Sequence, residues 1–200
     1  MKLIAGADEA GRGAWAGPLV AAAVIMPSRK IVGVRDSKQL SPRRRTELFS
    51  EIITQAVACT AVSIPQDCID TLGVHQANLF ALSYVITHLQ PQPDLALIDG
   101  FEIDHYIATQ AVVGGDASTY VIAAASIIAK VTRDWLMQRA DRYDARYGYA
   151  RHKGYGTQLH QQQLQQFGAS RWHRQSFAPV QRILYTKGSY DVPIRYHQHS

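Results

Sequence analysis

Hydrophobic residues in this chain form short runs and helical stripes, separated by polar segments that contain glycine and proline. Short apolar runs between such breakers are typical of buried strands, whereas apolar residues three or four positions apart are typical of helices. The runs predict strands at residues 2–7, 19–26, 57–64, 95–98 and 107–113. The stripes predict helices that begin at Ser41-Pro42, over about 74–89, over about 118–142 and at 158–167. The alternation predicts an α/β fold, with a mixed five-stranded sheet flanked by helices.

Charge is distributed unevenly along the 200 residues, whose net charge is +5. Residues 1–129 contain 9 lysines and arginines against 12 acids, whereas residues 130–200 contain 12 against 4. Because a basic surface attracts polyanions, the second segment indicates a nucleic-acid partner, with a merely solubilising role as the alternative. An acidic first segment beside it suggests that a cation lies between acids and phosphates.

Several classes of protein are excluded by the same composition. The longest apolar runs, at 18–27 and 121–129, fall short of the roughly 18–20 residues of a membrane span, so we expect no membrane association. The N-terminal apolar stretch is too short for a signal peptide. Cys59 and Cys68 match no metal or redox spacing and are interpreted as idle thiols. We therefore expect a cytoplasmic protein.

Four acids stand near the ends of predicted strands. Asp8 and Glu9 close the first strand, Asp99 closes the fourth, and Asp116 follows the fifth. Ligands gather at strand ends in α/β sheets, although alternation sends Asp8 and Glu9 to opposite sides unless the strand bends. Carboxylates without cysteine or histidine favour Mg²⁺ or Mn²⁺, and two such ions hydrolyse phosphodiesters. A capping role for Asp116 and a turn role for Asp99 are the alternatives.

A glycine-rich loop at 11–16 allows two interpretations. Its G-x-G-x-x-A spacing after a strand, with Asp36 further on, resembles the fingerprint of a dinucleotide-dependent oxidoreductase. Asp8 and Glu9 would repel a pyrophosphate, however, and Gly17-Pro18 interrupts the helix that the fingerprint needs. We favour a backbone clamp, in which Gly11, Arg12 and Gly13 let peptide groups and a guanidinium approach a ligand.

Four further polar residues have structural interpretations. Asp134 ends the run A-K-V-T-R-D inside a predicted helix, where a salt bridge is favoured over a metal role. His152, His160 and His173 have no acid at a fixed spacing. We therefore expect them at the surface or in contact with phosphates rather than in a proton shuttle.

Six segments in order resemble the motifs of ribonuclease HII, the bacterial type 2 ribonuclease H. They are D-E-A-G-R-G at 8–13, D-S-K-Q-L-S at 36–41, L-I-D-G at 97–100, G-D at 115–116 followed by A-A-S-I-I-A-K-V-T-R-D at 124–134, H-K-G-Y-G-T at 152–157 and R-Q-S-F-A-P-V at 174–180. The chain departs from the family at Ala14, where proline is usual, and at Gly115, where lysine is usual. Arg12 argues against the sister family, ribonuclease HIII, which carries G-K-G.

The resemblance implies an RNase H-like fold with a helical C-terminal extension. It divides the chain into a catalytic domain at 1–142, a basic substrate-binding extension at 143–185 and a polar tail at 186–200. It also implies hydrolysis of RNA paired with DNA and cleavage 5′ of ribonucleotides embedded in duplex DNA, which leaves a 3′-hydroxyl and a 5′-phosphate. We expect the protein to act as a monomer.

Roles for individual residues follow from the same resemblance. The four acids, Asp8, Glu9, Asp99 and Asp116, would be the catalytic ligands of two Mg²⁺ or Mn²⁺ ions. The resemblance places the substrate against Gly11, Arg12, Gly13 and Tyr155. We also expect Ser37, Lys38 and Lys153 to contact the substrate, with the two lysines at its phosphates. Tyr155 would stack at the junction between ribonucleotide and deoxyribonucleotide. A nucleic-acid-binding module without catalysis is the alternative from another functional class.

Overall fold

The computed structural model describes residues 2–187, and its five strands form one mixed sheet in the order β3-β2-β1-β4-β5. The strands are β1 Ile4–Ala10, β2 Leu19–Ile25, β3 Ala58–Ile64, β4 Leu95–Asp99 and β5 Thr109–Val112. Neighbours are antiparallel from β3 to β1 and parallel from β1 to β5. The predicted fold class is therefore confirmed.

Eight helices accompany the sheet in the described residues. They are α1 Pro42–Gln55, α2 Gln66–Leu72, α3 Val74–Thr87, α4 Gly115–Ser118, α5 Tyr120–Tyr143, α6 Tyr149–His152, α7 Gln158–Phe167 and α8 Ala178–Lys187, with 3₁₀ turns at Ser37–Gln39 and Ala145–Tyr147. The Ser41 side chain caps α1 as predicted, accepting a hydrogen bond from the backbone N–H of Arg44. The short helices α2, α4 and α6 were not predicted, because they contain too few turns to show a hydrophobic stripe. Helix α8 was also not predicted, although it is as long as α7.

The two faces of the sheet support separate cores. Helix α3 covers one face, and α5 with α1 covers the other. The long helix approaches β1 closely because Gly6 has no side chain: a Cβ there would lie 2.1 Å from the Val121 carbonyl carbon. This close approach places the first turn of α5 directly against the strand that carries Asp8 and Glu9.

The basic C-terminal segment packs against the end of α5 rather than forming a separate layer. A third core cluster joins Ala16 to Met137 and Ala140 on α5, and to Tyr147 and Tyr149 beyond it. An isolated antiparallel bridge also pairs Ala16 with His173. The predicted tail lies outside the described residues from position 188 onward. No helix within residues 2–187 is long and apolar enough to cross a membrane.

Candidate active site

Three of the four predicted acids meet where the central strands β1 and β4 end, a place called the carboxylate edge below. One carboxylate oxygen from each of Asp8, Asp99 and Asp116 lies within 4.8 Å of the others. Asp8 and Asp116 are buried, and Asp99 is half-buried. Burial, and then the negative charges of Glu9 and Asp99, raise the pKa of Asp8 well above its usual value. The cluster therefore has the donor set and the charge of a site for hard cations.

Strand geometry explains why these acids converge. Because β1 and β4 are parallel neighbours, with Ala7 paired to Ile98, the residues that follow the pair lie side by side. Asp99 accepts a hydrogen bond at 2.7 Å from the backbone N–H of Gly115, the first residue of α4. This contact brings the adjacent Asp116 to the sheet edge, so the third acid is positioned by the second.

Glu9 lies in β1 and points to the opposite face of the sheet from Asp8, as strand alternation requires. It is not part of the three-carboxylate cluster, although it lines the same cleft as Asp8. Burial raises the pKa of Glu9 to about 7, against the positive charge of Arg12, which lowers it. Its Oε2 atom and the side chain of Asn78 on α3 are buried without a well-formed hydrogen bond among the described residues.

Lys38 supplies a positive charge beside the acids. Its ammonium donates a hydrogen bond to Asp116 Oδ2 at 2.9 Å, and this bond raises the pKa of Lys38. The neighbouring Ser37 is buried, and its Oγ accepts a hydrogen bond from Ser126 Oγ of α5 at 2.7 Å. Lys38 thus places an ammonium group beside Asp116, the acid that follows Gly115.

The loop at 11–13 is held from below by two arginines, Arg133 of α5 and Arg174, both fully buried. Six backbone carbonyls accept hydrogen bonds from the two side chains at 2.7–3.1 Å, namely those of Gly11, Arg12, Ala16, Gly17, Pro18 and Lys153. Burial lowers the pKa of Arg174 to about 9 and also lowers that of Arg133. The loop conformation therefore depends on two buried cations from the second half of the chain.

Gly11 is the glycine that this clamp requires. Its φ is +93°, and a Cβ there would lie 1.9 Å from Nε of Arg133. A Cβ on Gly13, by contrast, would meet nothing within 4 Å. The guanidinium of Arg12 lies 4.8 Å from the centroid of the Phe101 ring at the mouth of the cleft.

Tyr155 lies across the cleft from the glycine loop, on the turn between α6 and α7. Its half-buried ring lies 5.1 Å from the guanidinium of Arg133 and 5.6 Å from the ammonium of Lys130. The ring, the loop at 11–13, Ser37 and Lys38 line a single cleft of about 220 Å³ together with Asp8. The structure thus brings together the predicted carboxylates and most of the predicted substrate contacts.

Other predicted roles are placed elsewhere. Lys153 does not line this cleft, because its ammonium donates to the carbonyl of Ala150. Asp134 accepts a hydrogen bond from Lys130 at 2.7 Å, as a salt-bridge role predicts. The expectation of surface histidines is wrong, since burial leaves His160 and His173 at most 1% exposed. The dinucleotide interpretation is also wrong, because the glycine loop leads into strand β2 instead of a helix.

Comparison with known proteins agrees with this geometry. The profile of the family described as Ribonuclease HII matches residues 5–180. The chain is 47% identical over 186 residues to Ribonuclease HII of Roseiflexus castenholzii, covering 90% of this chain and 83% of that protein. It is 46% identical over 184 residues to Ribonuclease HII of Dichelobacter nodosus, covering 91% and 97% respectively. The solved ribonuclease H2 of Pyrococcus horikoshii OT3 has a TM-score of 0.78 at 25% identity, covering 92% and 98%.

Fold and site together define a hydrolase of the ribonuclease H type, built on a mixed sheet with carboxylates at its edge. The match to the family profile, and the similarity to a curated relative over nine-tenths of the chain, narrow the assignment from this class to one family. The chain belongs to the ribonuclease HII family, and it is an enzyme rather than a binding module without catalysis.

Sequence reasoning missed Arg133 and Arg174 as parts of the site. Both stand inside the motifs that resemble ribonuclease HII, next to Asp134 and His173. Hydrophobic periodicity gives no signal for a cation that is buried against carbonyls. One signal was available for Arg174. The sequence has no acid three or four residues away from it, so backbone carbonyls are the partners that remain.

Proposed function

We propose that this enzyme hydrolyses the RNA strand of RNA/DNA hybrids and cleaves 5′ of single ribonucleotides embedded in duplex DNA, leaving a 3′-hydroxyl and a 5′-phosphate. The observation that carries the proposal is the shared cleft, which Asp8 and Glu9 line together with Tyr155 and the loop at 11–13. Carboxylates for phosphodiester chemistry and groups that can recognise a sugar thus face the same space.

The residues present fit a pair of hard divalent cations, Mg²⁺ or Mn²⁺. All donors in the cluster are carboxylate oxygens, and burial followed by the neighbouring acids Glu9 and Asp99 raises the pKa of Asp8. We assign Asp8, Asp99 and Asp116 as ligands, with Glu9 as a further ligand from the other side of the strand. When bound, such ions activate water and stabilise the leaving oxygen. Lys38 donates a hydrogen bond to Asp116 Oδ2 and would orient that carboxylate beside the ions.

The glycine loop is suited to recognise a 2′-hydroxyl. Arg174 holds the carbonyls of Gly11 and Arg12 on the inner side of the loop. In a trans peptide the N–H points away from the carbonyl, so the N–H groups of Arg12 and Gly13 point away from Arg174. These donors, unobstructed by a side chain at Gly13, would bind the hydroxyl that distinguishes RNA from DNA.

Tyr155 would read the next nucleotide by stacking. The guanidinium of Arg133 and the ammonium of Lys130 lie near the Tyr155 ring and restrict its orientation. A deoxyribose allows close contact with the ring, whereas a second 2′-hydroxyl would crowd it. The cleft therefore favours the RNA-to-DNA junction over continuous RNA.

A duplex with one embedded ribonucleotide tests this function. We expect cleavage in Mg²⁺ or Mn²⁺, none in EDTA, and a product with a 3′-hydroxyl 5′ of the ribonucleotide. Tyr155→Ala should lower kcat/KM on this duplex more than on a continuous hybrid, because stacking contributes about 1–3 kcal/mol per base. Tyr155→Phe, the matched control, should retain most activity if stacking dominates. Equal loss on both substrates with a lower Tm would show that Tyr155 is structural.

A further inference from the structure

Three histidines form a buried cluster directly behind Tyr155. His152, His160 and His173 are 7%, 0% and 1% exposed. The rings of His152 and His160 stack with centroids 4.2 Å apart, and Nε2 of His160 lies 3.1 Å from Nε2 of His173. These side chains are outside the catalytic cleft, so the chemistry proposed above makes no use of them.

Hydrogen bonding assigns the protons on two of these rings. The backbone N–H of Ser170 donates to Nδ1 of His173 at 2.8 Å, so that nitrogen carries no proton. Neutral His173 must then be protonated on Nε2, and it donates to Nε2 of His160. His160 is consequently protonated on Nδ1, and it donates to the carbonyl of Tyr155 at 3.0 Å. A chain of directed hydrogen bonds therefore ends on the backbone of the tyrosine.

His152 holds the preceding residue in the same manner. The backbone N–H of Gly154 donates to His152 Nδ1 at 3.1 Å, and His152 Nε2 donates to the carbonyl of Tyr147 at 2.7 Å. The turn between these anchors is strained at Lys153, whose φ of 53° lies in the left-handed region that favours glycine, and Gly154 follows with φ of 81°. Two histidine rings thus fix a backbone that would otherwise relax.

We propose that the three neutral histidines are positioning residues that hold the 153–155 turn, so that the Tyr155 ring faces the substrate. The assignment depends on the proposed function of Tyr155 as the junction-reading residue. It goes beyond that function by stating what places the ring. A proton added to His160 at Nε2 would oppose the N–H of His173 and would break the chain of hydrogen bonds.

The charged groups around the cluster are consistent with neutral rings. Burial, and then His152, lower the pKa of His160 to about 4. Burial, and then His160, lower that of His173 to about 3, although Asp144 raises it. Asp141 and Lys153 act in opposite directions on the pKa of His152, which burial lowers. The phenol groups of Tyr147 and Tyr149 pack against the cluster and are uncharged, since burial raises the pKa of both.

A double-mutant cycle between His160 and Tyr155 tests the proposal. His160→Phe keeps the ring but removes the donor, and loss of one buried hydrogen bond corresponds to about a tenfold loss of kcat/KM on the single-ribonucleotide duplex. His160→Asn retains a donor near the position of Nδ1 and should restore most of the activity. In a Tyr155→Ala background, His160→Phe should cost nothing further.

Two controls separate positioning from general stability. Leu164→Ala removes a buried apolar side chain of the same helix, and Gln162→Ala changes an exposed one. Leu164→Ala should lower Tm without changing the preference for the single-ribonucleotide duplex, measured well below that Tm. If His160→Phe costs the same factor in both backgrounds, or matches Leu164→Ala, the positioning role is wrong. Tyr155→Ala alone reports on the proposed function, so the two failures are distinguishable.

Proton assignment in the unmutated enzyme is independent of any folding defect. Nitrogen NMR of histidine-labelled protein at pH 7 should show His160 protonated on Nδ1, and His152 and His173 protonated on Nε2. A charged His160, or one protonated on Nε2, would overturn the proposal even if every variant failed to fold.

Discussion

The carboxylate edge and the glycine loop meet at one cleft, which Asp8 lines together with residues 11–13, but they are built in opposite ways. At the edge, Asp8, Asp99 and Asp116 are placed by strand ends and repel each other. Below the loop, Arg133 and Arg174 are buried and donate their hydrogen bonds to backbone carbonyls, with no carboxylate in ion-pair contact among residues 2–187. The first arrangement has three carboxylates beside the single ammonium of Lys38, so negative charge is in excess, whereas the second is built on two buried cations. The edge is therefore prepared for metal binding, and the loop is prepared to hold its shape before any substrate arrives.

This difference predicts that substitutions at the carboxylate edge lower turnover without lowering stability. Substitutions at the glycine loop should lower the free energy of unfolding. Asp99→Asn should lower turnover by about 10²-fold or more, because the carboxylates hold the charge that stabilises the transition state. Tm should be unchanged or higher, since repulsion within the cluster falls. Asp104→Asn, an exposed acid away from the cleft, serves as the control. Near-normal turnover of Asp99→Asn in saturating Mg²⁺ would refute the assignment of the edge.

At the clamp, two glycines of one motif should respond differently. Gly11→Ala places a methyl group against Arg133 at a positive φ, so we expect roughly 2–4 kcal/mol of lost stability and reduced activity. Gly13→Ala meets no atom within 4 Å, so its Tm should stay close to that of the parent. Urea unfolding of the pair measures the contrast. Equal destabilisation of the two variants would mean that Arg133 does not fix the loop.

Acidification should lower the stability of the recognition half of the cleft, with a smaller effect than the substitutions above. The pKa of His160 is lowered to about 4, so unfolded chains bind more protons than folded ones between roughly pH 6.5 and 4. The stability contributed by the neutral ring is present above about pH 6.5 and is lost as pH falls through this window. The raised pKa of Glu9 acts in the opposite direction.

The contribution of His160 to the pH dependence of stability is obtained by subtracting the Tm of a variant without the ring from the Tm of the parent. In EDTA, the Tm difference between the parent and His160→Asn should shrink or reverse from pH 7 to pH 5, because only the parent ring titrates. Contributions of Glu9 and other acids cancel in that difference. A difference that is constant across this range would show that the ring does not resist protonation.

The contrast also explains what could be predicted from the sequence. Asp99 and Asp116 follow short apolar strands, and strand ends in a parallel sheet share an edge, so their convergence was predictable. Alternation correctly sent Glu9 and Asp8 to opposite faces, although β1 continues to Ala10 instead of ending before the acids. Local pattern was sufficient wherever adjacent strands determined the geometry.

The part of the cleft that would recognise the substrate, namely the glycine loop and Tyr155 with their supports, could not be predicted in this way. His160 and Arg174 are polar residues in a polar, basic segment, and periodicity cannot distinguish burial from exposure there. Their partners are carbonyls of Tyr155 and of Gly11, which come together only after the C-terminal segment has packed on α5. The domain boundary near residue 142 stays a prediction.

Binding measured separately from cleavage tests most directly the claim that recognition and chemistry belong to different halves of the cleft. The quantity is the ratio of Kd for an all-DNA duplex to Kd for the same duplex with one ribonucleotide, at one fixed salt concentration. We predict that Asp99→Asn keeps this ratio while losing turnover, and that Tyr155→Ala reduces the ratio. Loss of the ratio in Asp99→Asn, or a parental ratio in Tyr155→Ala, would contradict the account.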